Sequence, residues 1–164
     1  MGEGIMTLNI LVVEDTEKHR ESAREQFGPG KFSLAENYEQ ALGVLRPKDN
    51  QFDVVLTDLL MIKGGPQTMG NEGMKYIFDE LPYGFPIAFL AAKLGVPYIA
   101  IVTDVNHHNH PMSAAIDPIG SSAYRDDESG LYKINKSVLG IFHAPLDGNG
   151  RKDWKKVLEI LKGK

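Results

Sequence analysis

Short apolar runs alternate with amphipathic stretches along this chain. "NILVV" (9–13) is apolar at every position after Asn9, the pattern of a strand covered on both faces, and it ends at an acidic pair, Glu14-Asp15. Thr16 stands where a cap is wanted for the helix "EKHRESAREQF". That helix has a thin apolar stripe, Ala23 and Phe27, which places His19, one turn earlier, on its buried edge. "GPG" breaks the chain before a second strand, "KFSLAE". Asn37 is positioned to cap "NYEQALGVLRP", a helix that Pro47 stops.

"FDVVLTDLL" (52–60) reads as a third strand and again carries an acid near its end, Asp58. After it come a glycine-rich connection, "KGGPQTMGNEG", and a helix expected over "MKYIFDEL". "GFPIAFLAAKLG" is a further helix closed by Gly95, and "VPYIAIVT" a fourth strand. From Val105 to about Ser137 the pattern is less regular. It offers a short helix at "MSAAI", a polar turn "RDDESG", and a small hairpin of "LYKIN" with "KSVLGIF". "SVLGIFH" is the fifth core strand. "RKDWKKVLEILKG" closes the chain as a helix, with Trp154, Val157, Leu158 and Leu161 on one face.

Strands alternating with helices imply βαβ units and a parallel sheet with right-handed crossovers. The expectation is an α/β domain: a three-layer open sheet of five parallel strands with a small hairpin inserted before the fifth. It is read as one domain over residues 1–164, with 1–8 a flexible lead and 104–137 a divergent insertion. The 164 residues are enough for one cored domain. A net charge of −4 without a basic stripe argues against nucleic acid as a partner. No cysteine is present, so thiolate zinc sites and disulfides are excluded. The longest apolar region, "FPIAFLAAKLGVPYIAIV", is broken by Lys93, Gly95 and Pro97 and is not a membrane span; a cytoplasmic protein is expected.

In open parallel sheets, ligands sit beyond the carboxyl ends of the strands. Glu14, Asp15 and Asp58 all lie there, and they converge if the strands take the order 2-1-3-4-5. Like charges so placed call for a cation, and an all-oxygen set suits Mg²⁺. The glycine-rich connection is no phosphate-binding P-loop, because it lacks the Gly-Lys-Ser/Thr ending.

"ILVVEDTEKHRESA" followed by "FDVVLTDLLM" resembles the receiver domain of two-component response regulators. The spacing from Asp15 to Asp58 and the strand "IVTD" add to the likeness. The resemblance implies a flavodoxin-like fold, phosphorylation on Asp58, and Mg²⁺ held by Glu14, Asp15, Asp58 and the backbone carbonyl of Leu60. It implies that Thr103 bonds a phosphoryl oxygen, and that the phosphodonor is a sensor histidine kinase or phosphotransfer protein.

The chain also departs from that pattern. Receivers place a lysine directly before a proline at the end of strand five, where it pairs with the phosphoryl group; here "GIFHAPL" has His143 and Ala144 ahead of Pro145. Lys133 and Lys136 lie upstream, and neither is assigned the role. Asp104 follows Thr103 where the family has a small residue. "TDVNHHNHPM" then supplies a histidine-rich loop on the same rim. Asp104, His107, His108, His110 and His143 form a candidate second site for a transition metal, against the simpler reading of a polar, solvated loop. Three functions stand at this point: a phosphoaccepting signalling domain, a receiver-derived binding module without phosphotransfer, and a metal-dependent hydrolase using the histidines.

Overall fold

The computed structural model describes residues 7–47, 51–62, 66–106, 108–121 and 130–163. His107 and most of the "RDDESG" turn lie outside the described residues. Six strands form one sheet: β1 (Asn9–Val13), β2 (Lys31–Ala35), β3 (Val54–Thr57), β4 (Tyr98–Thr103), β5 (Leu131–Ile134) and β6 (Ser137–His143). Their order is β2-β1-β3-β4-β6-β5. The first five in that order are mutually parallel, and β5 pairs antiparallel with β6. The expected five-stranded parallel core is therefore present, and the hairpin adds a sixth strand outside the fifth.

Side chains alternate across a strand, so the apolar runs feed two separate cores. Leu11, Val13, Val55, Ile99, Ile101 and Ile141 face helices α2 (Tyr38–Leu45) and α4 (Gly84–Lys93). Ile10, Val12, Leu56, Ala100, Val102 and Phe142 face α1 (Glu17–Phe27) and α6 (Trp154–Leu161), which contribute Ala23, Phe27, Trp154, Val157, Leu158 and Leu161. These apolar strand positions are fully or almost fully buried, which is why the strands read as continuous apolar runs rather than alternating ones. Among the described residues, no helix is long and apolar enough to cross a membrane.

Asn37 caps α2 by accepting the Gln40 N–H, and Asp153 caps α6 by accepting that of Lys156. Thr16 sits at the start of α1 without a side-chain capping bond. The helix expected over "MKYIFDEL" is not formed. Helix α3 (Pro66–Gly73) comes earlier and is broken at Gly70, which has φ of +66°. Met74–Tyr76 forms only a 3₁₀ turn. The reason lies downstream: Leu81 exchanges two 3.1 Å backbone hydrogen bonds with Met61, which commits this backbone to a bridge.

Candidate functional site

The site is built on the carboxyl edge of β1, β3 and β4. Val13 lies level with Thr57, and the Asp58 N–H donates to the Val13 carbonyl at 2.8 Å. That register brings Glu14, Asp15 and Asp58 together, each offering an oxygen within 4.8 Å of the others. Glu14 and Asp58 are buried, whereas Asp15 is half-buried. The Asp58 loop is clamped from behind. Gly84 donates its N–H to the Leu59 carbonyl, and a Cβ there would lie 2.5 Å from the Asp58 carbonyl oxygen and 2.9 Å from Leu59 Cα. Only glycine allows that approach. Neither this bond nor the Met61–Leu81 bridge uses the Leu60 carbonyl.

The cation among these acids is Lys152, which sequence reasoning placed in the last helix and gave no role. It lies before that helix, two residues ahead of Trp154, and is completely buried. Its ammonium donates to Glu14 Oε2 at 2.6 Å, Asp58 Oδ1 at 3.0 Å and the Val102 carbonyl at 2.8 Å. An ammonium has three protons, so each has a partner. The Trp154 ring lies 5.2 Å away, close enough for a cation–π contact. A signal was available: Asp153 is a capping residue and Trp154 opens the apolar stripe, which puts Lys152 outside the helix.

Helix α1 fixes this lysine. The Lys152 N–H donates to His19 Nδ1 at 3.0 Å, and its carbonyl accepts from Ser22 Oγ at 3.0 Å. Next to it, Arg151 pairs with Glu25 on α1 and with Asp147 at the far end of its own turn. Trp154 Nε1 donates to the His19 carbonyl. The turn 147–151 thus returns the chain to the pocket after it has left β6.

Burial pushes Asp58 well above the ordinary carboxylate range; Lys152 pulls it back, and Glu14 pushes it up again. Glu14 is likewise raised by burial, against the attraction of Lys152. Burial alone would lower Lys152, but Asp58, Glu14 and Asp104 together hold it above its usual value. The pocket therefore favours one shared cation and disfavours a second bare negative charge.

Thr103 is buried at the end of β4, and its Oγ1 accepts the Val105 N–H at 3.2 Å. Asp104 turns to His19, whose Nε2 lies 2.8 Å from Asp104 Oδ2. That hydrogen bond outweighs burial and lowers Asp104 to about 2. The described histidines of the loop are not gathered. His110 caps α5 (Pro111–Ala115) by accepting the Met112 N–H on Nδ1. The His108 N–H donates to the Asn106 side chain, while His143 pairs with Asp117 at 3.0 Å. Among the described residues, Glu14, Asp15 and Asp58 are the one cluster able to hold a metal ion.

Neither a family model nor a curated protein matches the sequence. Solved structures do. A mutant of the receiver domain of the histidine kinase CKI1 from Arabidopsis thaliana aligns over 99% of this chain and 95% of its own, at 15% identity and a TM-score of 0.52. A two-component response regulator from Legionella pneumophila aligns over 96% of this chain and all of its own, at 18% identity and a TM-score of 0.45. The first of these likenesses establishes a shared fold.

Proposed function

We propose that this chain is a receiver-like signalling domain that accepts a phosphoryl group on Asp58. The observation that carries the reading is the buried ammonium of Lys152 between Glu14 and Asp58. The lysine that the receiver pattern wants at position 144 is supplied here from position 152. Among the described residues, both hydrogen bonds to the Asp58 side chain, from Lys152 and from the Leu59 N–H, fall on Oδ1. Oδ2 is then the nucleophile. It bonds to phosphorus as the donor's bond to phosphorus breaks, and the donor's leaving group keeps that electron pair.

Phosphoryl transfer needs positioning and charge neutralisation more than covalent machinery. The donor set of Glu14, Asp15 and Asp58 is oxygen only, which fits Mg²⁺; these carboxylates and the Leu60 carbonyl would hold it. When bound, the ion would supply the second positive charge that the incoming phosphoryl group requires. Lys152 would turn from Asp58 Oδ1 to a phosphoryl oxygen, and Thr103 would present its hydroxyl to another. A histidine kinase or a phosphotransfer protein is the donor class that this chemistry fits. Among the described residues, the histidines of the loop form no metal cluster that would support a hydrolase.

The test is incubation with Mg²⁺ and a small acyl phosphate, followed by intact-protein mass spectrometry. One alkali-labile phosphoryl adduct is expected, absent in Asp58→Asn. No adduct would overturn phosphotransfer and favour a binding module in which Lys152 alone neutralises the acids.

A further inference from the structure

His19 is completely buried at the point where three segments meet. It belongs to α1, its Nε2 faces Asp104 after β4, and its Nδ1 faces the backbone of Lys152 after β6. The Lys152 amide can only donate, so Nδ1 must be the unprotonated nitrogen. The ring proton is then on Nε2 and is given to Asp104. Asp104 thereby fixes the tautomer that accepts Lys152, in the way that the hydrogen bond on one ring nitrogen sets the role of the other.

We infer that His19 is the positioning residue for Lys152, with Asp104 selecting its tautomer. The assignment rests on the acceptor-pocket reading of Lys152. Its physical basis is separate: Lys152 sits opposite Leu146 in an isolated antiparallel bridge whose two hydrogen bonds join the flanking residues, Asp147 to Arg151 and Asp153 to Pro145, so its own N–H and carbonyl are left to α1. The ammonium has to meet Glu14, Asp58 and Val102 at once, and a misplacement of about 1 Å in such a group is costly to a reaction. His19 and Ser22, one turn apart on α1, hold the Lys152 N–H and carbonyl, the Ser22 hydroxyl being shared with the His19 carbonyl at 2.9 Å. Asp104, which departs from the receiver pattern, thus has its Oδ2 engaged by this imidazole.

Two substitutions separate positioning from bulk packing. In His19→Asn the side-chain oxygen can take the place of Nδ1 and accept the Lys152 amide. In His19→Gln the amide reaches toward Asp104 and leaves the Lys152 N–H without an acceptor. Expected are an Nε2-protonated ring in long-range proton–nitrogen spectra of the wild type, and slow exchange of the Lys152 amide in wild type and His19→Asn but fast exchange in His19→Gln. The rate of Asp58 phosphorylation by a small acyl phosphate should fall roughly tenfold or more in His19→Gln and stay near wild type in His19→Asn.

An Nδ1-protonated ring overturns the inference, as does equal impairment of the two variants. Should both variants fail to fold, as reported by Trp154 emission, Asp104→Ala on the exposed rim replaces them. It is expected to speed exchange of the Lys152 amide, and unchanged exchange overturns the inference. If the wild type takes no phosphoryl group, the proposed function fails, whereas the tautomer and the amide exchange still decide the role of His19.

Discussion

The rim of this sheet has two halves that look equally rich in chemistry and behave differently. After β1 and β3, the ionisable groups are buried and converge from segments far apart in sequence: Lys152 meets groups 138 and 94 residues away. After β4, the described histidines of the loop make local bonds: the His108 backbone N–H donates to Asn106 and His110 Nδ1 accepts from the Met112 N–H, each two residues away. Clustering in sequence produced local bonds, and clustering in space came from residues scattered along the chain. A buried charge must find a partner, whereas an exposed imidazole can be satisfied by water and its own backbone.

The sharpest way to break that contrast is to remove the shared cation. Lys152→Met leaves Glu14 and Asp58 buried without their ammonium, and chemical denaturation should show a loss of about 3–5 kcal/mol. Adding Asp58→Asn to that variant should return part of the loss, since one of the two stranded charges is gone.

Gly84→Ala is next. Its Cβ would collide with backbone at Asp58 and Leu59, which cannot swing aside as a side chain can. A loss of about 1–3 kcal/mol is expected from denaturation, together with slower phosphorylation of Asp58.

Asp104 joins the two halves, and its signature is in pH. It sits at about 2 against an ordinary 3.8, so between these values the unfolded chain binds more protons and stability rises with pH. The contribution is complete above the ordinary value and is lost as pH falls through about 2. Asp104→Asn lacks it, so the stability gap between wild type and variant should close over that range in acid denaturation series.

The smallest effects belong to the histidine loop. His110→Ala removes a helix cap and should cost about 1 kcal/mol or less; His108→Ala should change stability by less than about 0.5 kcal/mol. Neither should alter Zn²⁺ retention in equilibrium dialysis. A tightly held zinc ion that either substitution releases would erase the contrast.

The acids were legible because a strand buried on both faces ends abruptly where its sequence turns charged, at Glu14 and at Asp58. The parallel core was legible for the same reason. The sixth strand's place outside the fifth was not, because the hairpin pattern is local and says nothing of which edge it occupies. Burial of His19 followed from its place one turn before Ala23, but its partners lie 85 and 133 residues away. Lys152 was missed because the acceptors of its ammonium, on Glu14, Asp58 and Val102, lie 138, 94 and 50 residues away, whereas its neighbourhood in sequence reads only as a polar turn before a helix. The helix at "MKYIFDEL" had the right periodicity and lost to a two-bond bridge between Leu81 and Met61.

The central claim, that Lys152 is the cation of the acceptor pocket, is tested most directly by nitrogen-15 spectra of the lysine ammonium groups. One slowly exchanging ammonium signal is expected, absent in Lys152→Met, displaced in Asp58→Asn and displaced again when Asp58 is phosphorylated. An ammonium spectrum in which Lys152 exchanges like the surface lysines, or does not respond to Asp58→Asn, would contradict it.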